Sequence, residues 1–104
     1  MNRTEYLEFH RQCCEKMTKI TQDKSHDYAN DSDPFANFSQ VANMGITSVE
    51  KGFLVRMLDK MARISNYASV GRLEVLDESI EDTLLDLANY SILLAGYIKS
   101  KEKK

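Results

Sequence analysis

Tryptophan is absent from this 104-residue chain, proline occurs once and glycine four times. So few helix breakers exclude collagen-like, proline-rich and Gly/Ser-linker architectures, and no internal repeat or low-complexity tract appears. Cysteine is limited to Cys13 and Cys14. Adjacent on a helix, their side chains point about 100° apart and cannot bridge, so they read as reduced core or interface thiols. His10 and His26 stand alone, which excludes a zinc-type His/Cys spacing, and no Gly-rich phosphate loop or GKS/GKT motif is present. Neither sign of charge dominates: 14 Lys+Arg against 16 Asp+Glu give a net charge of -2 and a pI near 5.6. That balance provides no global pull toward nucleic acid or anionic membrane. No signal peptide precedes the first helical pattern, and no apolar run reaches the roughly 18 to 20 uncharged residues of a membrane span. These absences predict a cytoplasmic, soluble, single domain of 11.9 kDa, small enough that oligomerisation would help its stability.

The most informative stretch that remains is 76–98, LDESIEDTLLDLANYSILLAGYI. Glu78, Asp82 and Asp86 fall four apart and Asn89 follows. On an α-helix these four drift slowly around the axis and form one polar stripe roughly 16 Å long. The other faces carry Ile80, Leu84, Leu85, Leu87, Tyr90, Leu93, Leu94 and Tyr97. A helix apolar nearly all round belongs at the centre of a bundle or between subunits, where carboxylates need partners. Neighbouring anions raise one another's pKa, so the stripe should face arginine, lysine or a divalent cation.

The chain before it supplies candidates. Tyr6, Phe9, Cys13, Met17 and Ile20 recur at three- and four-residue spacing and predict an amphipathic helix over 4–23, capped by Thr4 or Asn2. Residues 25–45 are rich in Asn, Asp and Ser and contain Pro34, which predicts a loop with a short helical turn at 38–43 ending near Gly45. Its aromatics Tyr28, Phe35 and Phe38 predict that the loop docks back onto the bundle. A further helix is expected over 47–67, with Thr47 and Glu50 able to form a capping box. Phe53, Leu54, Met57, Leu58, Met61 and Ile64 give it a broad apolar face, and Arg56, Asp59, Lys60 and Arg63 share a mostly cationic stripe. The short connection around Gly71 makes the last two helices antiparallel neighbours. Folding there sets Arg63 opposite Glu78 to Asp82 and Arg56 near Asp86 and Asn89, with Asp59 and Lys60 between them, facing Asp82 to Asp86. Asp77 or Ser79 is available to cap the last helix, and residues 99–104 form a basic tail. The expected architecture is all-α: a small antiparallel bundle of three main helices plus a short helical turn, oligomeric through its apolar final helix, with the first helix as a further candidate.

Two chemistries fit the facing stripes. In one, Asp59, Glu78, Asp82 and Asp86 hold Mg²⁺, with Asp59, Glu78 and Asp82 as the catalytic carboxylates, while Arg56, Lys60 and Arg63 contact phosphates. Mg²⁺ prefers a few carboxylates plus water and phosphate oxygens, and cations offset charge on a triphosphate. In the other, the same residues form a salt-bridge ladder: Arg63 to Glu78 or Asp82, Arg56 to Asp86, and Lys60 to the carboxylate left over. The loop offers a second surface. Lys24, Asp27, Tyr28, Phe35, Phe38 and Asn37 can hold a base by stacking and hydrogen bonding, or Pro34, Phe35 and Phe38 can simply plug the end of the bundle.

HDYA at 26–29, DPFANF at 33–38, RMLDKMARI at 56–64 and DESIEDTLLDLANY at 77–90 together resemble the nucleotide-modification-associated domain 1 family, small proteins common in phages. The resemblance spans most of the chain, from about Lys24 to Tyr97. That family is in turn similar to the MazG-like all-α NTP pyrophosphatases. The resemblance implies a helical bundle, a homodimer or homotetramer, Mg²⁺, and hydrolysis of an ordinary or modified nucleoside triphosphate to monophosphate and pyrophosphate, in the host cytoplasm if phage-encoded. In the pyrophosphatases one helix carries Glu-x-x-Glu and a later one Glu-x-x-Asp. Here the later helix matches approximately through Glu78, Asp82 and Asp86. The earlier one has Arg56, Asp59, Lys60 and Arg63 where paired glutamates are expected. A second outcome of that departure is a helical oligomer that binds a nucleotide or a partner protein without turnover.

Overall fold

A computed structural model of the chain describes residues 1–28, 33–71 and 79–102, with side chains described at all of these except 24–28. The described residues form four helices, α1 (Arg3–Tyr28), α2 (Ala36–Asn43), α3 (Val49–Val70) and α4 (Ile80–Glu102), and no strand ladder. The all-α expectation holds, and no helix among the described residues is long and apolar enough to cross a membrane. The chain divides into two units, Met1–Pro34 and Phe35–Lys104.

The first unit is built on α1. Asn2 caps it, its Oδ1 accepting from Glu5 N at 2.8 Å. Tyr6, Leu7 and Phe9 are exposed while Cys13, Met17 and Ile20 are half-buried, and Arg11 is paired with both Glu8 and Glu15. Both cysteines are free thiols. The helix continues to Tyr28, five residues past its expected end. The polar run from Thr21 to Tyr28 contains neither glycine nor proline, so nothing in it breaks the helix.

The second unit has α3 and α4 packed side by side, with α2 against α3. Phe38, Val49 and Phe53 form its core, with Tyr90, Leu93, Leu94 and Tyr97 packed around them. The Phe38 and Phe53 rings stack at 3.8 Å, and Tyr90 meets Phe38 edge-on at 6.3 Å. α2 begins at Ala36, two residues before the expected turn, and ends in a Schellman motif: Gly45 N donates to Ala42 O, and Ile46 N to Val41 O. Gly45 adopts φ 74, the left-handed conformation that motif requires.

α3 starts at Val49. Its cap is Ser48, whose Oγ accepts from Lys51 N at 3.2 Å, so Glu50 is one place short of closing a capping box and sits in the first turn, where its charge suits the helix pole. The helix ends at Gly71, φ 81, whose N–H donates to Tyr67 O at 2.7 Å. α4 begins at Ile80, not at 76, because Ser79 Oγ takes the Asp82 N–H at 3.0 Å. It continues to Glu102, which turns part of the expected tail into its last helical turn.

Two contacts fix the antiparallel pairing. Lys101 Nζ reaches Glu50 Oε2 at 3.1 Å, and Lys60 Nζ reaches Asp86 Oδ2 at 3.1 Å. Moving forward along α3 therefore means moving backward along α4. The Glu50 carboxyl is held below its usual range by its own backbone N–H and then by Lys101, and Lys101 also lies over the Tyr97 ring at 5.5 Å.

Two glycine-to-alanine changes should move stability in opposite directions. At Gly71 nothing lies within 4 Å of an added Cβ, but φ is positive, so Gly71→Ala is expected to lower stability by about 1 kcal/mol. At Gly96, inside α4, a Cβ would meet the Phe35 ring at 3.6 Å, an ordinary contact, so Gly96→Ala is expected to raise stability by up to about 1 kcal/mol. Thermal melts followed by circular dichroism check both signs.

Candidate functional site

The α3–α4 seam carries most of the residues singled out in the sequence. Lys60 and Asp86 sit near its middle with 13% and 22% of their side chains exposed, so their ion pair is partly shielded from water. Asp59 and Arg63 lie on α3 beside it, Arg63 Nε 3.5 Å from Asp59 Oδ2, with side chains 34% (Arg63) and 60% (Asp59) exposed. On α4, Asp82, Asp86 and Asn89 are all half-buried. Thr83, fully buried beside them, donates its hydroxyl to Ser79 O at 3.3 Å and so anchors the first turn that positions Asp82. Oppositely charged stripes thus meet across this seam, and the outer edge stays wet.

Lys60 faces Asp86 as the antiparallel fold implies, but the expected Arg56–Asp86 rung of the ladder is not made. Asp86 is held by Lys60, and Arg56 lies instead over the Phe38 ring, 5.7 Å from its centroid. Arg56 thus faces the aromatic core, where a cation over a ring contributes about 0.5–1 kcal/mol. Of the two expected Arg63 partners, Glu78 and Asp82, Glu78 falls outside the described residues.

The loop surface is brought only partly into view. Phe35 is half-buried, edge-on to Tyr97 at 5.7 Å, and Phe38 belongs to the core, as a plug requires. Asn37 is exposed on the first turn of α2. The side chains of Lys24, Asp27 and Tyr28 lie outside the described residues. Among the described residues no three His, Cys, Asp or Glu side chains converge as a ready-made cation site. Sequence reading missed the Glu50–Lys101 clasp and the buried Thr83. The clasp had a signal, an acid in the first turn of one helix and a lysine in the last turn of its antiparallel neighbour.

The Lys60–Asp86 pair should be energetically coupled. An exposed pair contributes up to about 1 kcal/mol, and breaking a buried one costs about 3–5 kcal/mol, so a partly shielded pair falls between. Lys60→Met and Asp86→Leu are each expected to cost about 1–2 kcal/mol, and the double variant less than their sum, because it leaves no unpartnered charge. Additive thermal-melt shifts would show the pair to be uncoupled.

The class defined by fold and seam is an all-α protein with an ion-paired antiparallel helix hairpin. No family model, curated protein or solved structure matches the chain.

Proposed function

We propose that the chain acts on a nucleoside triphosphate along the α3–α4 seam, as a Mg²⁺-dependent pyrophosphohydrolase. The observation that supports this reading is the meeting of Lys60 with Asp86 at 3.1 Å beside a half-exposed Arg63 and an exposed Asp59, so that both signs of charge are presented together at a solvent-accessible edge. The family resemblance of the 56–64 and 77–90 motifs points the same way.

The chemistry of the donors suits Mg²⁺, although in this structure the described carboxylates do not converge and binding would have to draw them together. Asp82 and Asp86, one turn apart and half-buried on α4, with Asp59 on the facing helix, are hard oxygen donors, and Mg²⁺ completes such sets with water and phosphate oxygens. Bound there, it would neutralise phosphate charge and supply an activated water. Lys60 and Arg63 would bind the phosphate chain and stabilise the leaving pyrophosphate, Arg56 would approach from the aromatic side, and Asn89 would orient a phosphate or sugar oxygen. Lys60 must leave Asp86 for phosphate. The pair it gives up contributes on the order of 1–2 kcal/mol, comparable to a single charge-assisted hydrogen bond gained at about 1.5–3 kcal/mol.

The same ion pair also favours a second reading, in which the seam is a structural salt-bridge ladder and the protein binds a nucleotide or a partner without turnover. Phosphate release with added pyrophosphatase, across ribo- and deoxyribonucleoside triphosphates with Mg²⁺ or Mn²⁺, tests the first. Release on none of them retires the enzyme. A rise in melting temperature with nucleotide but no metal supports binding alone, since a ligand that binds only the folded state stabilises it.

A further inference from the structure

We propose that His10 and Cys14 on α1 form a two-ligand site for a zinc-type divalent cation, held between His10 Nδ1 and Cys14 Sγ. The site lies wholly within the first unit and does not rest on the nucleotide reading. Four residues apart, the two side chains share one face of the helix, and Sγ stands 3.7 Å from Nδ1. Zn–S bonds of about 2.3 Å and Zn–N bonds of about 2.0–2.1 Å meeting at a tetrahedral angle set the two ligand atoms about 3.6 Å apart, whereas a linear two-coordinate ion needs about 4.3 Å. The spacing that serves a weak S–H to imidazole contact is therefore also the bite of a tetrahedral ion.

The surroundings leave this face open. His10 and Cys14 are both exposed. Tyr6, one turn earlier, lays its ring beside the imidazole, with 6.3 Å between centroids and 49° between planes, which restricts how His10 turns. Thr18, one turn later, donates its hydroxyl to Cys14 O at 3.0 Å and stays with the backbone. Arg11 is bonded to Glu8 and Glu15, so these neighbouring charges hold one another and compete for neither ligand. Cys13 is half-buried and points about 100° away from Cys14, which makes Cys14 the thiol of the pair. His10, which no finger-type spacing joins to a second ligand in the sequence, gains one through the helical repeat.

The donors select the ion. A thiolate and an imidazole suit Zn²⁺ and its softer congener Cd²⁺, while carboxylate oxygens suit Mg²⁺, so this pair and the α3–α4 seam take different cations. On binding, the Cys14 S–H bond breaks, a metal–sulfur bond forms and the proton leaves to solvent, with no change of oxidation state. Nδ1 gives its lone pair to the ion, and the ring proton sits on Nε2. No third His, Cys, Asp or Glu converges there among the described residues, so water fills the remaining positions and the ion is exchangeable.

Calorimetric titration of the reduced chain with Zn²⁺ alone, and with Cd²⁺ alone, should show one ion per chain bound ahead of any other, with proton release and, for Cd²⁺, a thiolate charge-transfer band. Cys14→Ser and His10→Ala should each weaken binding by more than about tenfold, since even an outer-shell change costs about 10–100-fold. Cys13→Ser and, in the seam, Asp82→Asn/Asp86→Asn should leave this site unchanged, and helical circular dichroism should match wild type in all of them. No heat and no band up to millimolar metal overturns the proposal. So does binding undiminished in His10→Ala, the mark of a thiolate acting alone, or binding lost in Cys13→Ser. If either ligand variant misfolds, the wild-type chain decides by NMR: one equivalent of Cd²⁺ should shift the His10 ring resonances, and unshifted resonances overturn the proposal.

Discussion

Replacing Phe53 with alanine is expected to lower the melting temperature by on the order of 20 °C or to leave the chain unfolded. Phe53 has no exposed surface, stacks on Phe38 at 3.8 Å and lies 6.2 Å from the Tyr97 ring, so one side chain joins α2, α3 and α4. The near-parallel stack, 5° between planes, is not the arrangement aromatic quadrupoles favour. Burial carries the stabilisation, and removing a buried phenylalanine costs about 3–5 kcal/mol. Whole domains are stable by only about 5–15 kcal/mol, and in one of this size each kcal/mol shifts the midpoint by about 4–8 °C. The matched control is Ile92→Ala on the 61% exposed side of α4, expected to stay within about 0.5 kcal/mol. Chemical denaturation of both variants checks the contrast, and a mild Phe53→Ala phenotype would show that the helices are held by something other than this aromatic cluster.

On the proposed mechanism, Asp82→Asn abolishes pyrophosphate release while leaving the fold in place. Asp82 sits in the first turn of α4, its backbone N–H taken by Ser79 Oγ, and the near-isosteric amide removes the charge while that cap stays in place. A carboxylate that holds a cation and orients water contributes orders of magnitude to rate, at tenfold per about 1.4 kcal/mol of barrier. Asp86→Asn should lose activity as well, and in addition should lose part of the stability that Lys60 provides through the pair. Asn37→Ala, exposed on α2, should leave turnover on most substrates within a few-fold and change discrimination among bases. Single-turnover rates for the three variants beside melting curves separate chemistry from folding. Equal turnover in Asp82→Asn and wild type would remove that residue from the site.

Much of the fold was legible because its signals are local. Asn2, Ser48 and Ser79 are small polar residues ahead of apolar periodicity, and each begins a helix; Gly45 and Gly71 end helices in the left-handed conformation that only glycine adopts readily. One side of the final helix is core, with Tyr90, Leu93, Leu94 and Tyr97 packed there, whereas Leu84, Ile92 and Ile98 are exposed, so burial nearly all round is not seen within the chain. Positions that depend on distances between elements were less legible. Arg56 and Lys60 lie one turn apart on the same stripe, so sequence alone does not decide which meets Asp86. In the structure Lys60 makes the bond while Arg56 goes to Phe38. The length of α1 was underestimated for a related reason: polar composition after Ile20 reads as loop, but without a breaker the hydrogen-bonded helix simply continues.

The most direct test of the central claim is a ¹H–¹⁵N chemical-shift titration with a nucleoside triphosphate and Mg²⁺. The account predicts that the largest perturbations fall together on Asp59, Lys60 and Arg63 of α3 and on Asp82, Asp86 and Asn89 of α4, saturating with ligand. Saturating perturbations elsewhere, or none at millimolar nucleotide, would contradict it.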